Sequence, residues 1–347
     1  MYFHNQGPAI GWIHQAMEDM IEETRRTVAE HLGAEPEEIM LNENATIGIN
    51  IVAYGIEWKA GDNIILSDQE HPGNRVVWFQ LRKRYGIEIR IVQLCNDYDT
   101  LLARLKALID RRTRLISISH VSRETGLRLP ATELSRIAHT YGVPILFDGA
   151  QAFGAIPVNL HQIGCDFYTC SGHKYIMGPQ GTGAFFVKRD RLEWLQPSWL
   201  GSHSEKVLDK AGHVELKDSA KRFEFSTHNL ADVAGFRYAL EMWDRIGWTN
   251  VYKYLEAYTT WLKQELVKIP SLRLLTPMEY EHSAGIISFE IPNYNASCVV
   301  RSLYEAERVL VAAINDQIVR ASVHVFNTEE DGRRLLAGLT RIVTRGY

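Results

Sequence analysis

The stretch from residue 144 to residue 183 constrains the fold of this 347-residue chain more than any other. It begins with an apolar run, residues 144–147, which predicts a buried parallel strand ending at Asp148. A second apolar run, residues 165–170, is followed by a glycine-rich turn at residues 178–183. In open α/β sheets, ligands bind at the carboxyl edge of the strands. We therefore expect both strand ends to place polar side chains at one edge of a sheet.

The polar residues after the two runs supply an acid, an amide, a hydroxyl, an imidazole and an amine. Pyridoxal phosphate (PLP) chemistry needs such a set, because a lysine amine forms a Schiff base with the cofactor aldehyde and an acid pairs with its pyridinium nitrogen. Lys174 is the predicted Schiff-base lysine and Asp148 the predicted pyridinium partner. Considered one at a time, Lys174 could instead be a solvated surface lysine and Asp148 an acid that caps a loop. Gln151, Ser171 and His173 are also predicted to bind the cofactor.

Three motifs of this stretch resemble those of the class V aminotransferases of PLP fold type I. That family includes cysteine desulfurases, selenocysteine lyases, isopenicillin N epimerase-like proteins and cystine C–S lyases. The matching segments extend from about Tyr2 to the C-terminus. The motifs are Asp148-Gly-Ala-Gln151, Ser171-Gly-His173-Lys174 and Gly178-Pro-x-Gly181-x-Gly183.

The resemblance implies an α/β fold of PLP fold type I. A large domain, residues 21–235, has a mostly parallel sheet with helices on both faces. A smaller α+β C-terminal domain covers residues 236–347, and residues 1–20 form a segment beside the small domain and the active site. Strands and helices alternating at short intervals favour right-handed βαβ units independently of the resemblance. Residues 189–220 are predicted to be irregular, as an active-site loop or a dimer arm.

A helix predicted to begin near Asn44 carries small and hydroxyl residues in its first turn. Free backbone N–H groups and the helix dipole make such an end suitable for a phosphate. The alternative is a simple N-cap by Asn44 or Thr46. The resemblance favours a phosphate cradle that includes Ala45 and Thr46. A P-loop is excluded, because the sequence contains no GKS or GKT.

Other site residues are implied by the resemblance alone. His71 matches the ring that stacks on the pyridine face and joins Lys174 and Asp148 as a predicted catalytic residue. Thr227, with Ser226 in reserve, matches the hydroxyl that reaches the cofactor phosphate of the neighbouring subunit. A homodimer with shared active sites is therefore expected.

The predicted partner is a small-molecule amino-acid substrate. Arg320 matches the family arginine that binds the substrate α-carboxylate, with a surface ion pair as the alternative. Desulfurases usually have asparagine where this chain has Arg123. That arginine either grips a substrate carboxylate or sulfonate, or pairs with Glu124 or another acid. Asn74 is also assigned to the substrate.

The N-terminal loop offers a further pair of polar residues. Asn5 and Gln6 either contact substrate or belong to a loop that packs on the domain.

Composition excludes several other classes. The net charge of −4 gives no reason to expect nucleic acid or an anionic membrane as a partner. No apolar run approaches the roughly 18 residues of a membrane span, and no signal peptide is visible at the N-terminus. The four cysteines have neither pairing nor metal-ligand spacing, so we expect a cytoplasmic protein without a metal site.

Cysteine desulfurases need a mobile nucleophilic cysteine shortly before the arginine that matches Arg320. The link from Val309 to Arg320 contains no cysteine. Cys298 lies in an apparent helix and is expected to be packed. Chemistry through an enzyme persulfide is therefore not favoured.

The overall resemblance is greatest to the cyst(e)ine C–S lyases, through the segments Glu70-His71-Pro72-Gly73 and Lys221-Arg222-Phe223-Glu224. It implies β-elimination on cystine or a cysteine S-conjugate, giving pyruvate, ammonia and a thiol or persulfide, with Lys174 first as tether and then as general base. The alternatives are an epimerase-like or aminotransferase member acting on another amino acid, and a desulfurase or selenocysteine lyase working without a loop cysteine. A non-catalytic sensor or relic is a further alternative.

Overall fold

The computed structural model describes residues 11–345 of the chain. A seven-stranded sheet forms its centre, in the order β1-β7-β6-β5-β4-β2-β3. The neighbours from β3 through β6 pair in parallel, and β7 runs antiparallel to both β1 and β6. These strands are β1 (Ile39–Asn42), β2 (Asn63–Ser67), β3 (Glu88–Val92), β4 (Thr113–Ser119), β5 (Ile145–Asp148), β6 (Phe167–Ser171) and β7 (Gly183–Val187).

Helices cover both faces of this sheet. Ile145 and Phe147 of β5 belong to one apolar cluster, whereas Leu146 between them belongs to another. Alternation of side chains along a strand explains this division, since successive residues point to opposite faces. The helices in this part of the chain are α1 (Gly11–Leu32), α2 (Ala45–Gly55), α3 (Val76–Tyr85), α4 (Tyr98–Leu108), α5 (Ala131–Thr140) and α6 (Leu160–Ile163).

The segment predicted to be irregular contains a hairpin. Strands β8 (Glu205–Leu208) and β9 (Val214–Leu216) pair antiparallel. The prediction of residues 189–220 as wholly irregular is therefore wrong. The strands have four and three residues and are mostly exposed, so any alternation is too short to distinguish them from a loop in the sequence.

A second, four-stranded antiparallel sheet follows, in the order β10-β11-β13-β12. After residue 269 the order of strands and α-helices is strand, strand, helix, strand, strand, helix. The predicted domain boundary after residue 235 falls inside α7. The elements are α7 (Leu230–Ile246), α8 (Trp248–Leu266), β10 (Arg273–Leu274), β11 (Ile286–Glu290), α9 (Ala296–Glu307), β12 (Ala312–Ala313), β13 (Ile318–Ser322) and α10 (Glu329–Arg345).

The central strands of the large sheet end side by side. Ser119 at the end of β4 pairs in register with Asp148, and Asp148 pairs with Thr169 of β6. Asp148 Oδ1 accepts a hydrogen bond from Ala150 N at 2.9 Å, which turns the chain out of the sheet. The carboxyl edge of the sheet thus gathers the ends of β5 and β6, as the sequence predicts, together with the end of β4.

A buried ion pair ties α1 to the segment that precedes α7. Arg25 Nη1 lies 2.5 Å from Glu224 Oε1, and both side chains are buried. Glu224 also accepts a hydrogen bond from Leu41 N at 2.9 Å and lies 3.1 Å from His228 Nε2. Burial opposes ionisation of Glu224, but Arg25 and His228 outweigh it and hold the pKa of this carboxyl far below its usual range.

We expect Glu224→Gln to lower the free energy of unfolding by about 3–5 kcal/mol at neutral pH, because it leaves Arg25 buried without its main partner. Urea denaturation measures this change. The contribution of the wild-type pair is present above the unfolded pKa of about 4.5 and is lost as pH falls through the depressed folded value. Glu193, which is 84% exposed and pairs with Arg222 at 2.8 Å, provides the control. Its change to glutamine should cost at most about 1 kcal/mol, and equal effects of the two variants would contradict the prediction.

Candidate active site

Two adjoining cavities at the carboxyl edge of the large sheet share Gln151 and Lys174. The structure thus brings together six of the residues predicted from the sequence. The first cavity is lined by His71, Ser119, Val121, Arg123, Asp148, Ala150, Gln151 and Lys174. The second is lined by Gln151, Lys174, Tyr175, Arg320, Ser322, Val323, His324 and Phe326.

The Lys174 amine follows β6 and is available for chemistry. Within residues 11–345 it forms no hydrogen bond or ion pair. Burial lowers its pKa; Asp148 opposes the shift, while Arg320 and Arg123 add to it. A lower pKa increases the fraction of neutral amine, which is the form that acts as a nucleophile or a base.

Asp148 and His71 lie on the same cavity as Lys174. Asp148 is 6% exposed at the end of β5. His71 begins a short 3-10 turn, Pro72–Asn74, and its Nδ1 accepts a hydrogen bond from Gly73 N at 2.9 Å. Partial burial lowers the pKa of His71; Asp148 opposes this shift, and the nearby cations add to it. A neutral ring fixed by its backbone is suited to stacking on a flat cofactor.

The N-terminus of α2 meets the end of β6. Ala45 N donates to Ser171 Oγ at 3.2 Å, and Thr46 N donates to Asn44 Oδ1 at 3.0 Å. Asn44 is therefore the N-cap of α2, as in the simple-cap alternative that the sequence left open. The helix end also touches the turn that begins at His71, since a Cβ on Gly73 would lie only 2.5 Å from Thr46 Oγ1. Close approach of the two segments requires glycine at that position.

Two buried nitrogen atoms in this region have no hydrogen-bond partner in the described part of the chain: Nδ1 of His173 and Nε of Arg320. Buried donors and acceptors are normally satisfied, so each orphan indicates a missing partner. A phosphate bound beside His173 and a carboxylate bound at Arg320 would supply acceptors. The residues present therefore fit PLP together with an amino-acid substrate.

Arg123 and Arg320 lie close together although 197 positions separate them. Arg320 Nη1 donates to the backbone oxygen of Arg123 at 3.2 Å. Neither guanidinium forms an ion pair with an acid of residues 11–345, so the predicted alternatives of a surface pair and of a pair with Glu124 are not seen there. Burial and the charge of Arg123 lower the pKa of Arg320.

The prediction that Asn74 contacts substrate is wrong, because its side chain is 0% exposed and fully engaged inside the protein. Its amide donates to Glu70 Oε2 at 2.8 Å and accepts from Trp78 Nε1 at 2.9 Å and Ser117 Oγ at 2.7 Å. Burial raises the pKa of Glu70 to about 7, although hydrogen bonds from Ser67, Ser119 and Asn74 act to lower it. Asn74 supports the turn that carries His71.

Thr227 is not brought to Lys174 within one chain. It is exposed and lines a separate cavity with Asn42, Gly181 and Gly183, and Ser226 lines the same cavity. The expected role at a neighbouring subunit stays a prediction. Asn5 and Gln6 lie outside the described residues.

Sequence reasoning missed an aromatic wall of the second cavity. The rings of Tyr175 and His324 stack with centroids 5.5 Å apart, and those of His324 and Phe326 with centroids 4.9 Å apart. Sequence reasoning also missed Ser119, which ends β4 next to Asp148. The strand-end rule that found Asp148 applies equally to Ser119, whereas nothing in the sequence signals the wall.

None of the four cysteines lines either cavity. Cys165 and Cys170 are buried, and burial raises the pKa of Cys170 to about 12. Cys95 donates to Asp97 O at 3.3 Å. Cys298 lies on α9 and is exposed, so the prediction that it is packed is wrong.

The described residues contain no group of three or more histidine, cysteine, aspartate or glutamate side chains placed to hold a metal ion. None of the helices between residues 11 and 345 combines the length and the apolar character that a membrane crossing requires.

A family model, aminotransferase class-V, matches residues 3–335 of the chain. The chain belongs to this family. The cysteine desulfurase of Escherichia coli O1:K1 is 34% identical over 345 residues, covering 94% of this chain and 83% of the relative. The cysteine desulfurase of E. coli K12 shows the same values. The predicted family, enzyme class and PLP cofactor are confirmed, since class V enzymes depend on PLP.

Solved structures of C-DES share the fold of this class V enzyme. A lysine mutant of C-DES with glycine covalently linked to its PLP cofactor superposes with a TM-score of 0.89 at 28% identity, covering 98% of this chain and 90% of that one. The complex of the cystine C–S lyase C-DES with its reaction product cysteine persulfide gives the same TM-score and identity, covering 98% and 91%. The predicted α/β class and PLP fold type I are thus confirmed.

Proposed function

We propose that this class V enzyme is a C–S lyase that performs β-elimination on cystine or a cysteine S-conjugate. One observation carries the proposal: Lys174, Asp148 and Arg320 meet at adjoining cavities that no cysteine lines. A reaction that passes sulfur to an enzyme thiol needs that thiol beside the substrate. Elimination needs only a base, a cofactor and a binding site. The similarity to C-DES, described as a cystine C–S lyase, supports the same choice.

The net reaction consumes one water. The conjugate loses its Cα proton and its Cβ–S bond, the sulfur leaves as a thiol or persulfide, and hydrolysis of the remainder gives pyruvate and ammonia. PLP supplies, when bound, an electron sink for the negative charge that develops at Cα. The Lys174 amine accepts the Cα proton, and burial, which lowers its pKa, favours the neutral form that can do so.

The remaining residues of the site bind and orient the substrate and the cofactor. Arg320 binds the α-carboxylate through its planar fork. Asp148 faces the ring nitrogen, and His71 covers the ring. The proposed contacts to the cofactor oxygens come from Ala45, Thr46, Gln151, Ser171 and His173. Thr227 completes the phosphate site of a neighbouring subunit in the homodimer that we propose, and we expect the protein in the cytoplasm.

A second candidate is a cysteine desulfurase, favoured by the name of the relatives that are 34% identical. It would convert cysteine to alanine and place sulfur on a thiol, of which Cys298 is the exposed example on α9. An epimerase-like member would instead return the amino acid with inverted configuration.

Pyruvate release from L-cystine by the PLP-loaded enzyme tests the proposal. We expect pyruvate and ammonia in equal amounts, and the wild-type rate in Cys298→Ser, because that thiol lies outside the site. Alanine formed from cysteine, and lost in Cys298→Ser, would support the desulfurase. Inverted amino acid without pyruvate would support the epimerase-like reaction.

A further inference from the structure

The two cavities around Lys174 carry more positive than negative charge. Among the lining residues that the structure describes, Asp148 is the one acid, against Lys174, Arg123 and Arg320. In the proposed function Lys174 is either bonded to the cofactor or acts as a neutral base, and Asp148 faces the ring nitrogen. The substrate α-carboxylate neutralises Arg320. No acid within residues 11–345 then forms an ion pair with the guanidinium of Arg123.

The turn that carries Arg123 is fixed on two sides. Ser122 Oγ donates to Gln69 Oε1 at 2.6 Å, close to the turn that begins at His71. On the other side, Gly126 has φ of +73°, and a Cβ there would lie 2.4 Å from Ile286 O of the small sheet. Ile286 pairs through β11 with the strand of Arg320. The backbone of Arg123 is therefore held beside the substrate space by both sheets.

Glu124 forms no ion pair with its neighbour Arg123 within 4.0 Å in the described residues. Burial raises the pKa of Glu124, although the charge of Arg123 opposes this shift. Two guanidiniums held close together in a partly buried site repel each other, which costs stability unless a ligand compensates. A neutral asparagine, which is usual in desulfurases at this position, would not repel Arg320 and would need no anionic ligand.

We propose that the substrate carries a second anionic group beyond its α-carboxylate, and that Arg123 binds this group. The inference rests on the proposed function. It names cysteine S-conjugates whose sulfur substituent ends in a carboxylate or a sulfur oxyacid. Cystine satisfies the requirement, since its second half bears a carboxylate. The rings of His324 and Phe326 offer an apolar face for the carbon atoms between the sulfur and the second anion.

The test compares two conjugates of nearly equal size, S-carboxymethyl-L-cysteine and the neutral S-carbamoylmethyl-L-cysteine. In the wild type, kcat/KM for pyruvate release should favour the acid on the order of 10- to 100-fold, as expected for a charge-assisted bidentate contact. Arg123→Asn should lower kcat/KM far more for the acid than for the neutral conjugate, so that the preference disappears. Arg128→Asn, on the same loop but outside both cavities, should keep the preference.

Calorimetric titration of both conjugates separates failure of this inference from failure of the proposed reaction. Tighter binding of the acid that disappears in Arg123→Asn supports the inference even where no pyruvate forms. Pyruvate from both conjugates with equal kcat/KM would leave the lyase standing and overturn the role of Arg123. Equal binding of both conjugates without turnover would overturn both.

Discussion

Replacing Lys174 by alanine should reduce pyruvate release by at least about 10⁴-fold. General base catalysis alone contributes about 10²–10⁴, and the same change removes the proposed covalent attachment of the cofactor. The fold should survive, because the amine makes no hydrogen bond or ion pair within the described residues. Borohydride reduction followed by peptide mass analysis checks the attachment directly, since only the wild type should carry a cofactor adduct at residue 174.

Lys188 provides a matched control for this prediction. It follows β7, is partly exposed and pairs with Asp190 at 3.2 Å outside both cavities. Lys188→Ala should keep the wild-type rate and the adduct. An adduct found on another lysine, or a Lys174→Ala enzyme with substantial activity, would assign the chemistry elsewhere.

Changing Asp148 to asparagine should lower kcat on the order of 10²- to 10³-fold, because loss of one partner of a buried charge pair costs about 2–5 kcal/mol. Asparagine keeps a side-chain oxygen for the Ala150 N–H, now at 2.9 Å, so the strand end should hold its shape. The cofactor should still attach to Lys174. The variant therefore separates the electronic role of the acid from cofactor retention.

The checks for Asp148→Asn are steady-state pyruvate release, the cofactor adduct and thermal melting. Asp190→Asn, an exposed change, should leave all three at wild-type values. A rate for Asp148→Asn close to that of Asp190→Asn would remove Asp148 as the ring-nitrogen partner. Loss of the adduct would point to a binding role instead.

Local patterns in the sequence predicted much of the fold. The apolar run before Asp148 appears in the structure as β5, and the predicted alternation of strands and helices appears between β2 and β6. The hairpin of β8 and β9 was not predictable, because strands of four and three residues are too short to show a clear alternation.

The locations of some side chains could also be predicted from the sequence, whereas those of others could not. A strand end decides which residue reaches the carboxyl edge of a sheet, so Asp148 and Lys174 could be assigned from sequence and resemblance. Asn74 could not, because a turn of three residues directs its side chain inward to Glu70 rather than to the substrate. Similarly, helical spacing placed Cys298 on α9 without revealing that it faces solvent.

The sequence by itself determined the elements, the family and the lysine–acid pair, because these depend on local pattern and on motifs contiguous in the chain. Tertiary structure alone decided that Arg123 and Arg320, 197 positions apart, lie close together and that neither pairs with an acid of residues 11–345. It also decided that Thr227 lies away from Lys174 of its own chain. The physical reason is that charge balance in a site is the sum over residues from distant segments, and only the packing of the two sheets brings those segments together.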